Sequence, residues 1–402
     1  MDLRRCSIHT QAVHAGERAP RPDFTPVSTP IYPSVGYLYE SMEDLDGVFA
    51  GGRPGYVYPR YGSPTVAALE EAVATLEGGE AAIATASGMA AIHLALLAAG
   101  VGPGQRVVAA QDVYGATYAL LANLLRAQGV EAHFVDAADL DAVRAAVREA
   151  RPRLLLVETV SNPLLKVADL PALAEIAHGA GALLAVDSTF ATPYLVQPLA
   201  LGADYCIHSA TKYLGGHGDV MGGVVVATAE RCAQMRELLK LTGGNLGPME
   251  AWLVLRGLKT LPLRMRQHSA NAMQVAQWLA TRLEVARVNY PGLPSHPQHA
   301  LATRLFRAGL YGGMVSFELA GAGRKEVFRF MEALRLCLPA TTLGDVYSLV
   351  LYPAMSSHRA VPAEERARIG IGDGLVRLSV GIEEAGDIID DIRQALGAVR
   401  DA

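Results

Sequence analysis

The segment ALLAVDSTFATPYLVQPLALGADYCIHSATKYLGG (182–216) contains two short apolar runs that each end on polar residues. ALLAV closes on Asp187, and YCI closes on His208 and Ser209, with Thr211 and Lys212 directly behind. Uninterrupted apolar runs of this length, without polar alternation, predict strands buried on both faces. The same pattern recurs outward along the chain at AAIATA (81–86), RVVAA (106–110), EAHFVD (131–136), RLLLVE (153–158) and GGVVVA (222–227). Helical spacing fills several gaps, at 89–99, 115–128, 139–149 and 169–180. Strands alternating with helices specify an α/β fold whose mainly parallel sheet is covered on both faces.

The alternation stops near residue 245. A long helical region follows (248–284, interrupted at Pro262), then a strand at MVSFEL (314–319), a helix around 324–335, a strand at RLSVGI (377–382) and a closing helix from about 384. This part reads as a smaller α+β domain. The expected division is an arm over 1–60, an α/β domain over 61–259 and a C-terminal domain over 260–402. The arm is rich in Pro, Tyr, Gly and Ser, and so long an irregular segment is expected to wrap over a neighbouring subunit.

With 51% hydrophobic and 19% charged residues, the chain can bury a substantial core, which excludes disorder as the main state. A net charge of −5 argues against a nucleic-acid partner, which needs a basic face. Cys6, Cys206, Cys232 and Cys337 are scattered without a C-x-x-C pair, so neither a disulfide framework nor a metal site is expected, and a reducing cytoplasm suits them. The start, MDLRRCSIHTQAV, lacks the apolar segment of a signal peptide. The most apolar stretch (81–102) carries Thr85, Ser87 and His93 and is broken by Gly88, so it reads as a strand, turn and helix and not as a membrane span.

Ligands of open parallel sheets bind at the carboxyl ends of the strands. Four strand-end features there form a set. Lys212, one of only five lysines, stands beside the hydroxyls of Ser209 and Thr211. Hydroxyls at this spacing suit a phosphate, while a desolvated amine can attack a carbonyl on the same molecule. Asp187 ends an apolar strand, where an acid needs a cationic or hydrogen-bonding partner, and a protonated pyridine nitrogen supplies one. Ser87-Gly88-Met89 lies where a strand hands over to a helix whose free amides suit a phosphate. Tyr114 follows RVVAA and is placed to stack on a flat ring. Each has a plainer reading: a loop lysine, a helix-capping Asp, a tight turn and a packing Tyr. Together they point to pyridoxal 5′-phosphate (PLP), held by Lys212 as a Schiff base.

The chain resembles the Cys/Met-metabolism family of PLP enzymes, which includes cystathionine γ-synthase, cystathionine lyases, methionine γ-lyase and acylhomoserine sulfhydrylases. The resemblance runs nearly end to end through VHAG (13–16), YPRYGSPT (58–65), SGMAA (87–91), VDSTFATPY (186–194), HSATKYLGGHGD (208–219), LRGLKTLPLRM (255–265), GGMVSF (312–317) and VRLSVGIE (376–383). It implies PLP fold type I, the aspartate-aminotransferase-like arrangement, and a homotetramer of dimers with shared active sites. Tyr58 and Arg60 would reach the cofactor phosphate of a neighbouring subunit. Asn162 would lie near the phenolic oxygen and Thr189 beside the ring. Arg377 would clamp the substrate α-carboxylate, with Ala116, Thr341 and Thr342 also at the substrate. Lys212 would move protons between substrate carbons, and Tyr114 would act as acid or base near the leaving group.

Positions aligned with the charged groups of cystathionine-cleaving relatives are Val57, Ala119 and Thr341, all uncharged. With LGDVYSL (343–349), this favours a γ-elimination lyase acting on methionine or a related sulfur amino acid, with cystathionine as a further substrate. Ala116 and Lys240-Leu241 depart from the methionine γ-lyase pattern, which keeps γ-replacement on O-acetyl- or O-succinylhomoserine as the alternative. An aminotransferase shares the fold and the lysine but would need a second arginine for a dicarboxylic partner, and a non-catalytic scaffold would carry no bound PLP.

Overall fold

A computed structural model describes residues 3–16, 25–356, 359 and 363–400. Of the N-terminal arm, residues 1–2 and 17–24 therefore lie outside the described residues. The seven apolar runs form strands β1 (Ala81–Thr85), β2 (Arg106–Ala110), β3 (Glu131–Val135), β4 (Leu154–Glu158), β5 (Leu183–Asp187), β6 (Tyr205–Ser209) and β7 (Gly223–Ala227). They build one seven-stranded sheet in the order β1-β7-β6-β5-β4-β2-β3. The pairs β6/β5, β5/β4, β4/β2 and β2/β3 are parallel, and β7 runs antiparallel to both neighbours. Central strands are apolar throughout because helices cover both faces: β7 is buried along its whole length, while edge strand β3 alternates. The helix Gly88–Ala98 is unusually apolar because it packs against β6, β7 and the helix Ala229–Thr242.

A second, five-stranded sheet has the order β10-β11-β12-β9-β8, with β8 (Val285–Asn289), β9 (Met314–Leu319), β10 (Leu338–Pro339), β11 (Leu349–Leu351) and β12 (Leu375–Ser379). Strand β12 is shifted from the expected 377–382. It pairs with β9 from Leu375 to Ser379, after which the Val380 amide turns to Gly313 and a Cβ at Gly381 would press on Val346 O at 2.5 Å. The helical region also breaks earlier than expected, between Pro248–Leu258 and Leu261–Leu279. Pro262 does not break it. It sits in the first turn of the second helix, where no amide donor is required. Strands β8, β10 and β11 were not legible, being short and of mixed polarity.

Part of the arm folds back on its own chain. Residues Ile8–His14 form a helix, and Ile8, Ala12 and Ala15 are buried in the core shared with the helix Pro64–Glu77. Gly16 (φ +77°) approaches so closely that a Cβ there would lie 2.0 Å from Ala68 O. The later arm is different: Val35, Leu38, Met42 and Phe49 are all exposed. No helix among the described residues is long and apolar enough to cross a membrane.

Candidate active site

The parallel register brings the carboxyl ends of β4, β5 and β6 to one rim, with Glu158 opposite Asp187 and Asp187 opposite Ile207. Above this rim lies a cavity of about 510 Å³. Ser87, Gly88, Met89, Tyr114, Asn162, Asp187, Thr189, Ser209, Thr211, Lys212, Thr341 and Arg377 all line it. The last two come from the side of the second sheet, so both halves of the chain close the site.

At one end, Ser87 caps the helix Gly88–Ala98, its Oγ accepting the Ala90 amide at 3.1 Å. Gly88 is required by closeness and not by a positive φ: a Cβ there would stand 2.8 Å from the Ser209 Cβ. The helix start and the Ser209 hydroxyl therefore share one small space, as an anion site needs. The Thr211 hydroxyl is engaged with Gly222, accepting its amide at 3.0 Å and donating to its carbonyl at 3.2 Å. Thr211 thus ties the lysine loop to the start of β7.

Asp187 caps no helix. Its Oδ1 accepts the Thr189 amide at 3.0 Å and the Thr189 hydroxyl at 2.5 Å. Thr189 Oγ1 in turn accepts the Ser209 amide at 2.8 Å, so one threonine fixes both strand ends. Burial raises the Asp187 carboxyl above its usual range, and the Thr189 hydrogen bonds oppose that rise. One strand lower in the core, His208 Nε2 lies 2.5 Å from Glu77 Oε1, pinning β6 to the helix Pro64–Glu77. That separation is a direct hydrogen bond, although Cys206 completes a group of metal-type donors there.

Lys212 Nζ donates to Thr342 Oγ1 at 2.8 Å. Burial, followed by the charge of Arg377, lowers its pKa to about 8, so a substantial neutral fraction exists near neutral pH. Arg377 is only 3% exposed, and burial lowers its pKa to about 10, which leaves it cationic. Its Nη1 donates to Asn162 Oδ1 at 3.1 Å and its Nη2 to Thr342 O at 3.2 Å. Its Nε has no partner, and no carboxylate of the described residues forms an ion pair with it. A buried cation served only by neutral acceptors is set to receive an anion.

Not every residue singled out in the sequence reaches the cavity. Tyr58 and Arg60 lie away from it, Arg60 donating to Lys240 O at 2.7 Å and resting on the rings of Tyr58 and Tyr61. Val57, Ala116 and Ala119 are also absent from its lining, which leaves Thr341 of the four positions expected to select the substrate; Thr342, expected at the substrate, is absent too and instead bonds Lys212 and Arg377. Glu158, Met221, Leu343, Leu351 and Ser356 line it without having been singled out. Glu158 carried the same strand-end signal as Asp187. The others carried none, since loops and the second sheet deliver them.

An amine, a buried acid, a tyrosine and a cramped helix start in one cavity fit a pyridine aldehyde phosphate. The profile of the family described as Cys/Met metabolism PLP-dependent enzyme matches residues 9–397. The chain is 44% identical to an O-succinylhomoserine sulfhydrylase of Pseudomonas aeruginosa, covering 99% of this chain and 97% of that protein. It is 42% identical to an L-methionine gamma-lyase of Fusobacterium nucleatum, covering 98% and 99%. The crystal structure of cystathionine gamma synthase from Xanthomonas oryzae, in complex with aminoacrylate and cysteine, superposes with a TM-score of 0.92 at 40% identity, covering 98% and 99%.

Proposed function

This chain belongs to the Cys/Met metabolism PLP-dependent enzymes, and from that premise we propose that it catalyses γ-elimination from methionine or a similarly short sulfur amino acid, giving 2-oxobutanoate, ammonia and a thiol. The observation that carries this reading is the charge inventory of the cavity. Among the described residues of this chain that line it, Arg377 is the one strongly basic side chain besides Lys212; Glu158 and Asp187 are its acids, and neutral side chains such as Met221, Phe190, Leu343, Leu351, Thr341 and Ser356 make up much of the rest. Such a site takes one carboxylate and an uncharged tail. A second amino-acid head, as in cystathionine, would find no further cationic partner among these lining residues.

Bound PLP supplies an electron sink for the charge that develops at the substrate Cα. The residues of the chain do the rest. Arg377 orients the substrate by its carboxylate. With PLP bound, Lys212 would take the Cα proton as a neutral amine and hand it on within the site. Asp187 would hold the pyridine nitrogen of PLP by its negative charge, and Tyr114, which lines the cavity, would be the acid for the departing sulfur. Replacement on O-acetyl- or O-succinylhomoserine by a thiol needs the same residues, and the 44% identity to an O-succinylhomoserine sulfhydrylase favours it as the second reading. A substrate panel decides: 2-oxobutanoate and thiol released from methionine alone support the lyase. Turnover only when an acylhomoserine and a thiol are both supplied would assign replacement instead.

Tyr58 and Arg60 are proposed to serve the site of a second subunit. Their position outside the cavity of their own chain and the exposed apolar arm around them support this. Mixing inactive Arg60→Ala and Lys212→Ala subunits tests it, because hybrids with one intact site should regain activity that neither parent has.

A further inference from the structure

Glu158 ends β4 beside Asp187, one strand over in register, and lines the main cavity. Its Oε1 accepts the Tyr114 amide at 2.6 Å, and the Asn162 amide bears on the same carboxyl. These two amides belong to different loops. One follows β2 and carries the ring-stacking tyrosine; the other follows β4 and carries the side chain that receives Arg377. We propose that Glu158 is a positioning residue for the reaction, a single carboxyl that locks the Tyr114 and Asn162 loops in fixed register around Asp187. The inference rests on the cofactor occupying this cavity.

The protonation state follows from the surroundings. Burial, then the negative charge of Asp187, pushes the Glu158 carboxyl well above its usual range, and Asp112 adds to the effect. Both carboxyls receive hydrogen bonds that favour the ionised form, two from Thr189 at Asp187 and two backbone amides at Glu158, but at Glu158 burial and the charges of Asp187 and Asp112 outweigh them. Behind it lies a small cavity lined by Asp112, Ser161 and Lys166, and the Lys166 amine pairs with Asp136 at 2.8 Å and lies 3.8 Å from Asp112. That cation is thus taken up by Asp136 and Asp112. The pair on adjacent strands therefore holds one negative charge, placed on Asp187 where the ring nitrogen meets it, and Glu158 stays a neutral acid.

The test uses holoenzyme carrying Glu158→Gln or Glu158→Leu. Glutamine keeps a neutral acceptor for both amides, and leucine keeps only bulk. Glu158→Leu should weaken PLP binding to the apoprotein and lower kcat by roughly tenfold to a hundredfold with KM less affected. It should also move the pH midpoint of the bound-cofactor absorbance, and Glu158→Gln should recover most of each loss. Equal impairment of the two variants would overturn the neutral-acceptor role, and a wild-type-like Glu158→Leu would overturn positioning altogether. The infrared difference between wild type and Glu158→Gln at neutral pH gives a reading independent of the leucine variant's folding: a protonated carboxyl band should vanish, and a carboxylate band in its place sinks the assignment. If wild-type protein itself shows no bound-cofactor absorbance, the placement of PLP fails, and that outcome is distinct from any difference among variants.

Discussion

The amine of Lys212 donates to the hydroxyl of Thr342 across 2.8 Å, and the carbonyl of the same threonine accepts Nη2 of Arg377 at 3.2 Å. One residue beside the second sheet thereby bridges Lys212, which follows a strand of the first sheet, and Arg377, which stands on the second.

Lys212 gives a pH signature in the cofactor-free chain. Its folded pKa of about 8 lies below the ordinary 10.5, so between these values the unfolded chain binds more protons than the folded one. Stability must then rise with pH across that window as the penalty of burying the ammonium is relieved. Denaturant unfolding of wild type and Lys212→Met from pH 7 to 11 checks this. The difference between them should narrow as pH rises from about 8 to about 10.5.

Replacing Arg377 by lysine keeps the charge and loses the fork. Loss of one charge-assisted hydrogen bond to a carboxylate costs about 1.5–3 kcal/mol, so KM for the amino acid should rise roughly tenfold to a hundredfold. Steady-state rates of 2-oxo acid formation measure it. An unchanged KM would remove Arg377 from the carboxylate site.

Gly88→Ala places a methyl 2.8 Å from the Ser209 Cβ and 2.9 Å from its Oγ. Overpacking of this kind costs ~1–3 kcal/mol. The displaced Ser209 should also weaken PLP binding, seen as a higher cofactor concentration at half-saturation when the apoprotein is titrated.

Asp187→Asn preserves the shape and the Thr189 contacts through its side-chain oxygen but removes the charge facing the ring nitrogen. A fall in kcat of about 10²–10⁴ is expected, the range for a lost proton-holding group. Cofactor should still be fixed to Lys212 by borohydride, which separates an electrostatic defect from a lost site.

Much of this was legible before any coordinates. The strands of the first sheet declared themselves because burial on both faces forces unbroken apolar runs. Polar residues at their ends stood out against that background, which is how Asp187, Ser209 and Lys212 were found. Glu158 stood out equally, yet it has no partner in the sequence: only the β4/β5 register sets it beside Asp187. The start of the arm reads as irregular because the helix Ile8–His14 is short, and Ile8, Ala12 and Ala15 find their partners more than fifty residues away on the helix Pro64–Glu77.

By itself the sequence determined the sheet, the rim on which the chemistry sits and the family, since strand burial and strand-end polarity are local properties. The tertiary structure alone decided what shares the cavity. Thr341, Leu351 and Ser356 arrive from the second sheet and its loops, where strands are short and of weak pattern, and Gly88 meets Ser209 across more than a hundred residues of chain. Such contacts are set by how helices and sheets pack in three dimensions, and no local periodicity encodes them.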